Sequence, residues 1–504
     1  GTIWEESVIF SPKFVRFLCL SATIPNAVQF AAWISSIKDH PVDVVRFDKR
    51  AVPLTHLVYD AEEGITTLDE LATSMKHHRH GGNIYNRRQE RVQKPRPEQI
   101  VGDLKARSWL PCLYFIFSRM DCERQAGYLA KSFNFLSAEQ RIKVQNRFRD
   151  VIPEDQKSLD SVRKVREWCS KGIGVHHAGL LPSIKEAVEL LFADGLIYVL
   201  FTTETFAVGL NLPARATVFN SLEKYDGMNF RYLNSKEYFQ LAGRAGRRGI
   251  DKEGFAIGVI DRQSADLERI KRFTSADTEP IISQFRMSYN TALHLVSQHN
   301  SEEGERILKS NFDYFIRKQE KGHIRIMAAY NNKLRMLKKL GYLNEDNSIT
   351  ERGHFLLSIY SYEILVGEIF STDLWQELTE EQILVVAAAI IYEERRQDKY
   401  SLKGSDAIVK PILANLDRNP IVLKELDKMA LRKLAGIVSR WSNGATFDEL
   451  LALTDVQEGD IVHLFRRMID LLRQIRHATH SEDLRERIFR AMERVDRDIV
   501  KVNL

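Results

Sequence analysis

Cysteine is scarce, with only Cys19, Cys112, Cys122 and Cys169 in 504 residues. None pairs as C-x-x-C, which argues against a zinc site or a disulfide framework and fits a reducing compartment, hence an intracellular and cytoplasmic protein, or a nuclear one in a eukaryote. Long apolar runs are lacking too. No stretch of about 18 apolar residues occurs, so no segment is expected to span a membrane. Charge of one sign is not in excess: a net charge of +5 allows a nucleic-acid partner without demanding one. The phosphate loop G-x-x-x-x-G-K-[ST] is missing, since Lys171-Gly172 has the order reversed and no hydroxyl follows it. Nor does an Asp-Glu pair close an apolar strand run where it could hold magnesium. Asp69-Glu70 and Asp448-Glu449 instead open helical segments as capping acids. The sequence starts at Gly1 in mid-pattern and is read as a fragment.

What is present is the stretch "QLAGRAGRRG", Gln240 to Gly249. Arg244 and Arg247 lie three apart among three glycines. Arginine offers a planar, permanently charged fork, suited to the charge that builds on a γ-phosphate during hydrolysis. The stretch therefore reads as half of a nucleotide site.

The hydrophobic content of 44% provides for sizeable cores, and the length for roughly three or four domains. "FVRFLCL" (14–20) reads as a buried strand, followed by "SAT" and a helix from Asn26 to Lys38. "VDVVRF" (42–47) and "LTHLVYD" read as further strands. Residues 76–96 are basic with few apolar anchors and read as an exposed loop, or alternatively as an RNA-facing patch. "CLYFIFSR", "LIYVLFTT", "ATVFNS" and "GFAIGVID" are continuous apolar runs typical of parallel strands, and helical stretches alternate with them. This pattern predicts an α/β doubly wound domain. After Pro280 strand signals nearly vanish. "GYLNEDNSITERG" predicts a short hairpin among helices, which suggests a winged helix, and from "EEQILVVAAAII" the pattern is helical to the end. Residues 460–474 predict one amphipathic helix with Ile461, Leu464, Phe465, Met468, Leu471, Leu472 and Ile475 on its apolar stripe.

In order along the chain, "LSAT", "YFIFSR", "GVHHAGLLP", "FTTETFAVGLNLPA" and "QLAGRAGRRG" resemble motifs of the superkiller-type DExH helicases of superfamily two. "IYEERR", "WSNGATFDEL", "EGDIVHLFRRMIDLLRQI" and "RDIV" resemble that family's C-terminal helical domain, and "GTIWEES" resembles the sequence that follows its DExH motif. The resemblance implies an α/β plus all-α architecture: a RecA-like doubly wound parallel sheet followed by a winged helix and a helical ratchet domain. The implied boundaries are 1–47 for the end of a first RecA-like domain, 48–275 for the second, 276–378 for the winged helix and 379–504 for the ratchet bundle. It implies that the phosphate loop and DExH box belong to a missing N-terminal half. It also implies an ATP-dependent RNA helicase moving 3′ to 5′ in RNA processing or decay, with ATP and magnesium as cofactors. Its partners would be single-stranded RNA and an RNA-degrading nuclease complex. The arch that eukaryotic relatives insert is reduced here to residues 311–335. A non-catalytic RNA-binding or scaffold fragment, and a related DNA helicase, remain the alternatives.

By the same resemblance, Arg244 and Arg247 would be the arginine fingers. Gln240 would orient a phosphate or the attacking water. Gly209, Asn211 and Gly243 would lie near the nucleotide. Thr203 would hold a nucleic-acid phosphate, with Ser118, Arg119, His177 and Gly179 as further contacts on the same sheet edge. Ser21 and Thr23 would couple the ATP site to domain closure, or simply cap a helix. His463 and Arg467 would face the strand from the ratchet helix, where a merely solvated charged face is the alternative.

Overall fold

The computed structural model describes residues 2–21, 24–47, 49–80, 95–207, 212–319, 325–394 and 398–501. They form two compact units: residues 20–26 with 45–281, and residues 1–19 and 27–44 with 282–504.

The first unit is built on a seven-stranded sheet. Its strands are β1 (Leu54–Asp60), β2 (Gly64–Thr66), β3 (Cys112–Phe115), β4 (Ile173–His176), β5 (Val199–Thr202), β6 (Ala216–Phe219) and β9 (Gly254–Val259), in spatial order β2-β1-β9-β6-β3-β5-β4. All pairs are parallel except β1 with β2. Parallel strands are covered on both faces, which is why their residues are apolar without alternation. β3, β4, β5 and β6 are buried at every position. Helices such as Arg119–Ser132 and Pro182–Ala193 supply the crossovers, the former capped by Ser118, whose Oγ accepts from Asp121 N. β7 (Glu223–Tyr225) and β8 (Phe230–Tyr232) form a separate antiparallel hairpin.

The second unit is helical. The helix Glu380–Ile391 is buried without a break from Ile383 to Ile391 and packs against Lys428–Ser442, Glu458–Ala478 and Glu482–Val495. Residues apolar on all sides make a central helix, and the amphipathic ones surround it. Leu343 bridges Ile349 in antiparallel fashion between the helices Arg325–Lys339 and Glu351–Leu357, as the hairpin pattern predicts. The helix Thr2–Phe10 is held here by buried Glu5, whose carboxylate accepts from Ser283 Oγ at 2.8 Å, Gln284 N at 3.0 Å and Phe312 N at 3.2 Å. Trp33 Nε1 donates to Ser310 O at 2.7 Å, inside a cluster with Phe30 and Phe312.

Two sequence expectations are corrected. Residues 14–20 and 42–47 have strand-like sequences, yet neither is a strand, and Phe14, Leu18, Leu20, Val45 and Phe47 are exposed. Among the described residues no strand lies beside either segment, and a strand without a pairing neighbour leaves its backbone groups to water. The basic stretch begins as helix rather than loop, because Leu68–His80 is helical; residues 81–94 lie outside the described residues.

Candidate active site and nucleic-acid face

The arginine-bearing loop follows the helix Ser235–Ala242, and hydrogen bonds with Ala214 and from Arg50 hold it. Ala245 bridges Ala214. Ala214 N donates to Arg244 O at 3.0 Å, and Gly246 N donates to Ala214 O at 2.8 Å. Arg50 Nη2 donates to Gly243 O at 3.1 Å and to Ala245 O at 3.0 Å. Gly246 has φ +89°, and a Cβ there would meet Val52 Cγ1 at 2.7 Å, so only glycine fits this turn. Gly254, at the start of β9, backs the same loop: a Cβ on it would lie 2.6 Å from Gly246 N.

On this frame Arg247 is locked. Its Nε donates to Asp251 Oδ2 at 2.8 Å, its Nη2 to Asp251 Oδ1 at 2.9 Å, and its own backbone N to Oδ2 at 2.9 Å. The Asp251 side chain is 3% exposed. These hydrogen bonds raise the Arg247 pKa; burial alone would raise that of Asp251, but the Arg247 fork outweighs it and holds it below the usual carboxylate range. Arg244 is half-buried, and burial lowers its pKa. Gln240 is exposed on the preceding helix, and Gly243 caps that helix. Gly209 and Asn211 lie outside the described residues, as does Thr23, while Ser21 is exposed and in no regular element.

The nucleic-acid candidates gather at another edge. Ser118 and Arg119 follow β3, His177 and Gly179 follow β4, and Thr203 follows β5, so all five sit at the carboxyl ends of neighbouring parallel strands. The arginine loop lies at the amino ends instead, beside the residues that lead into β1, β6 and β9. The sheet therefore brings each group together and keeps the two groups apart. Thr203 is 8% exposed, and its Oγ1 lies 2.9 Å from Thr205 Oγ1. His177 is turned inward: it is fully buried, its Nδ1 accepts from Gly179 N at 3.2 Å, and its Nε2 lies 3.1 Å from Glu123 Oε1. An accepting Nδ1 leaves the ring proton on Nε2, which donates to the carboxylate. His177 thus holds the Gly179 turn rather than presenting a ring to solvent. Its neighbour His176 meets Glu189 at 2.7 Å, and burial lowers its pKa.

In the helical unit, Glu458–Ala478 is one helix, as expected, with Ile461, Phe465, Met468, Leu471, Leu472 and Ile475 buried and Leu464 half-buried. His463 is exposed. Arg467 Nη1 lies 3.2 Å from Glu393 Oε1, and Nη2 lies 3.5 Å from Tyr362 Oη. Sequence reasoning missed Arg50 and Asp251. Asp251 carries a faint signal, four residues after Arg247; Arg50 carries none, since it meets the loop 193 residues later in the chain.

Two family models match along the chain: the helicase conserved C-terminal domain over residues 151–249 and the DSHCT (NUC185) domain over residues 346–503. Similar proteins include Caenorhabditis elegans "mRNA transport homolog 4", 39% identical over 59% of this chain and 30% of its own length. Human "Exosome RNA helicase MTR4" is 37% identical over 59% of this chain and 30% of its own length. Human "Superkiller complex protein 2" is 33% identical over 68% of this chain and 29% of its own length. The chain is a homologue of the superkiller-type DExH helicases. It spans about a third of the length of these curated relatives. The two matched domains fit the C-terminal portion of a superfamily-two helicase, and the arginine loop ends where the helicase model does, at residue 249. No helix among the described residues is long and apolar enough to cross a membrane.

Proposed function

We propose that this superkiller-type homologue supplies the second half of an ATP-driven RNA helicase. It would be an intracellular enzyme moving 3′ to 5′ on its loading strand and feeding an RNA-degrading nuclease complex. In this reading residues 1–47 are the end of a first RecA-like domain, 48–275 the second, 276–378 a winged helix and 379–504 the ratchet domain. The observation that carries the proposal is the clamped loop at the amino edge of the sheet, which fixes Arg244 and Arg247 against a rigid backbone. A fixed guanidinium stabilises developing charge without reorganising at the moment of reaction. The donors of this loop fit the terminal phosphate of ATP, with Gln240, Gly243, Gly209 and Asn211 around it. Among the described residues no group of three or more His, Cys, Asp or Glu side chains could hold a metal ion.

The carboxyl edge suits a nucleic-acid backbone. Thr203, Ser118 and Arg119 would contact phosphates, the backbone would approach closely at Gly179, whose turn His177 would fix, and Ser21 and Thr23 would couple the two functions. His463 and Arg467 would meet the strand on the ratchet helix.

The test is ATP turnover. The purified chain alone is expected to show no RNA-stimulated hydrolysis. A complete protein that joins it to a domain bearing a phosphate loop and DExH box is expected to hydrolyse ATP, and Arg247→Ala is expected to slow that turnover about a thousandfold. A loss below about tenfold would refute the finger role. RNA binding without turnover in the complete protein would favour the non-catalytic reading.

A further inference from the structure

We infer that Asp251 is the positioning residue of the arginine loop: it grips one edge of the Arg247 guanidinium and aims the opposite edge outward. The inference rests on the finger reading above. A guanidinium carries five N–H donors arranged along its rim. Asp251 takes the Nε–H through Oδ2 and one Nη2–H through Oδ1. That leaves one edge, made of the two Nη1–H bonds and the second Nη2–H, which this carboxylate does not use. Two planar oxygens of a phosphate fit such an edge as well as a carboxylate fits the first.

The geometry of the grip supports aim rather than simple pairing. Oδ2 also accepts from the backbone N of Arg247 at 2.9 Å, so the carboxylate fixes main chain and side chain together. The Asp251 side chain is 3% exposed while that of Arg247 is 26% exposed, which puts the anchoring carboxylate inside and the cation at the rim. A long arginine side chain otherwise loses rotamer entropy on meeting its ligand, and a buried anchor removes that cost beforehand. The alternative role for the same contact is a latch, in which Asp251 competes with phosphate for Arg247.

The test uses the complete ATPase and four variants: Arg247→Ala, Asp251→Asn, Asp251→Glu and the double variant Arg247→Ala with Asp251→Asn. Asp251→Asn keeps the shape but replaces one acceptor oxygen with a donor, which turns the fork away. Misplacing a reacting group by about 1 Å costs up to roughly a hundredfold in rate, so kcat is expected to fall by about tenfold to a hundredfold with little change in KM for ATP. Asp251→Glu restores the carboxylate at a longer reach and is expected to recover part of the loss. In the Arg247→Ala background Asp251→Asn should change nothing further, because its target is gone. A purely structural role would lower turnover in that background too, and would overturn the inference. A rise in kcat for Asp251→Asn would show a latch and overturn it as well. If Arg247→Ala removes activity but Asp251→Asn does not, only the positioning role fails. If Arg247→Ala keeps its activity, the finger reading fails and takes this inference with it.

Discussion

A single glycine shows how tightly the arginine loop is built. At Gly246 two demands coincide: a left-handed φ of +89° and a Cβ that would sit 2.7 Å from Val52 Cγ1. The backbone strain alone costs an L-residue about 1–3 kcal/mol, and overpacking adds about as much again. Gly246→Ala is therefore expected to destabilise the sheet unit by about 2–6 kcal/mol, read as a lower denaturation midpoint. Adding Val52→Ala should recover the packing part and not the backbone part, so rescue is expected to be partial. Full rescue would mean that the φ carries no strain, and no loss at all would mean that the loop is looser than its hydrogen bonds suggest. The same residue explains what the sequence could and could not show. The glycine-rich spacing is visible in the sequence, but the neighbour that Gly246 packs against, Val52, comes from the lead into β1 nearly two hundred residues away.

At the scale of elements, the hairpin β7–β8 is tied to the helix that leads into the arginine loop. Glu237 in that helix accepts from Arg231 at 2.7 and 2.8 Å and from Asn234 N at 3.0 Å, and meets Lys224 at 2.9 Å. Burial alone would raise its pKa, but the Arg231 fork, the Asn234 amide and Lys224 outweigh burial and hold it at about 2. A carboxylate depressed in the folded state stabilises above its ordinary value of 4.5, and that contribution fades as pH falls toward 2. The hairpin amides are thus expected to lose hydrogen-exchange protection as pH drops through this window. In Glu237→Gln they should be less protected at neutral pH, with little further loss on acidification. An acid response that survives in Glu237→Gln would place the titrating group elsewhere. Elements were legible where the local pattern and the tertiary context agree. The apolar runs at β3, β5, β6 and β9 are strands as read, whereas the equally strand-like residues 14–20 and 42–47 are not. The difference lies in neighbours, which a linear pattern does not encode: β3 is flanked by β5 and β6.

For the whole molecule, 73 Lys and Arg against 68 Asp and Glu leave little net attraction for a polyanion. Many of the cations are also engaged internally: Arg262 meets Asp60, Glu62 and Glu63, Arg352 meets Glu368, and Arg466 donates to the carbonyls of Ile499, Val500 and Lys501. On the proposed function, RNA affinity would come from a few placed cations, and Arg467 on the helix Glu458–Ala478 has an exposed partner. Its side chain is 34% exposed and that of Glu393 is 75% exposed, so their ion pair is worth about 0–1 kcal/mol in water. A phosphate can displace such a partner at little cost. Arg467→Ala in the complete protein is expected to weaken single-stranded RNA binding and unwinding, and to reduce the salt slope of binding by about one unit. Glu393→Gln should act in the opposite direction, because it frees Arg467 for the strand and removes a nearby like charge from the path of the phosphates. If Arg467 stacks on a base instead, affinity falls while the slope holds. Unchanged affinity in both variants would make this face of the helix merely solvated, and the ratchet contact would then have to be sought at His463.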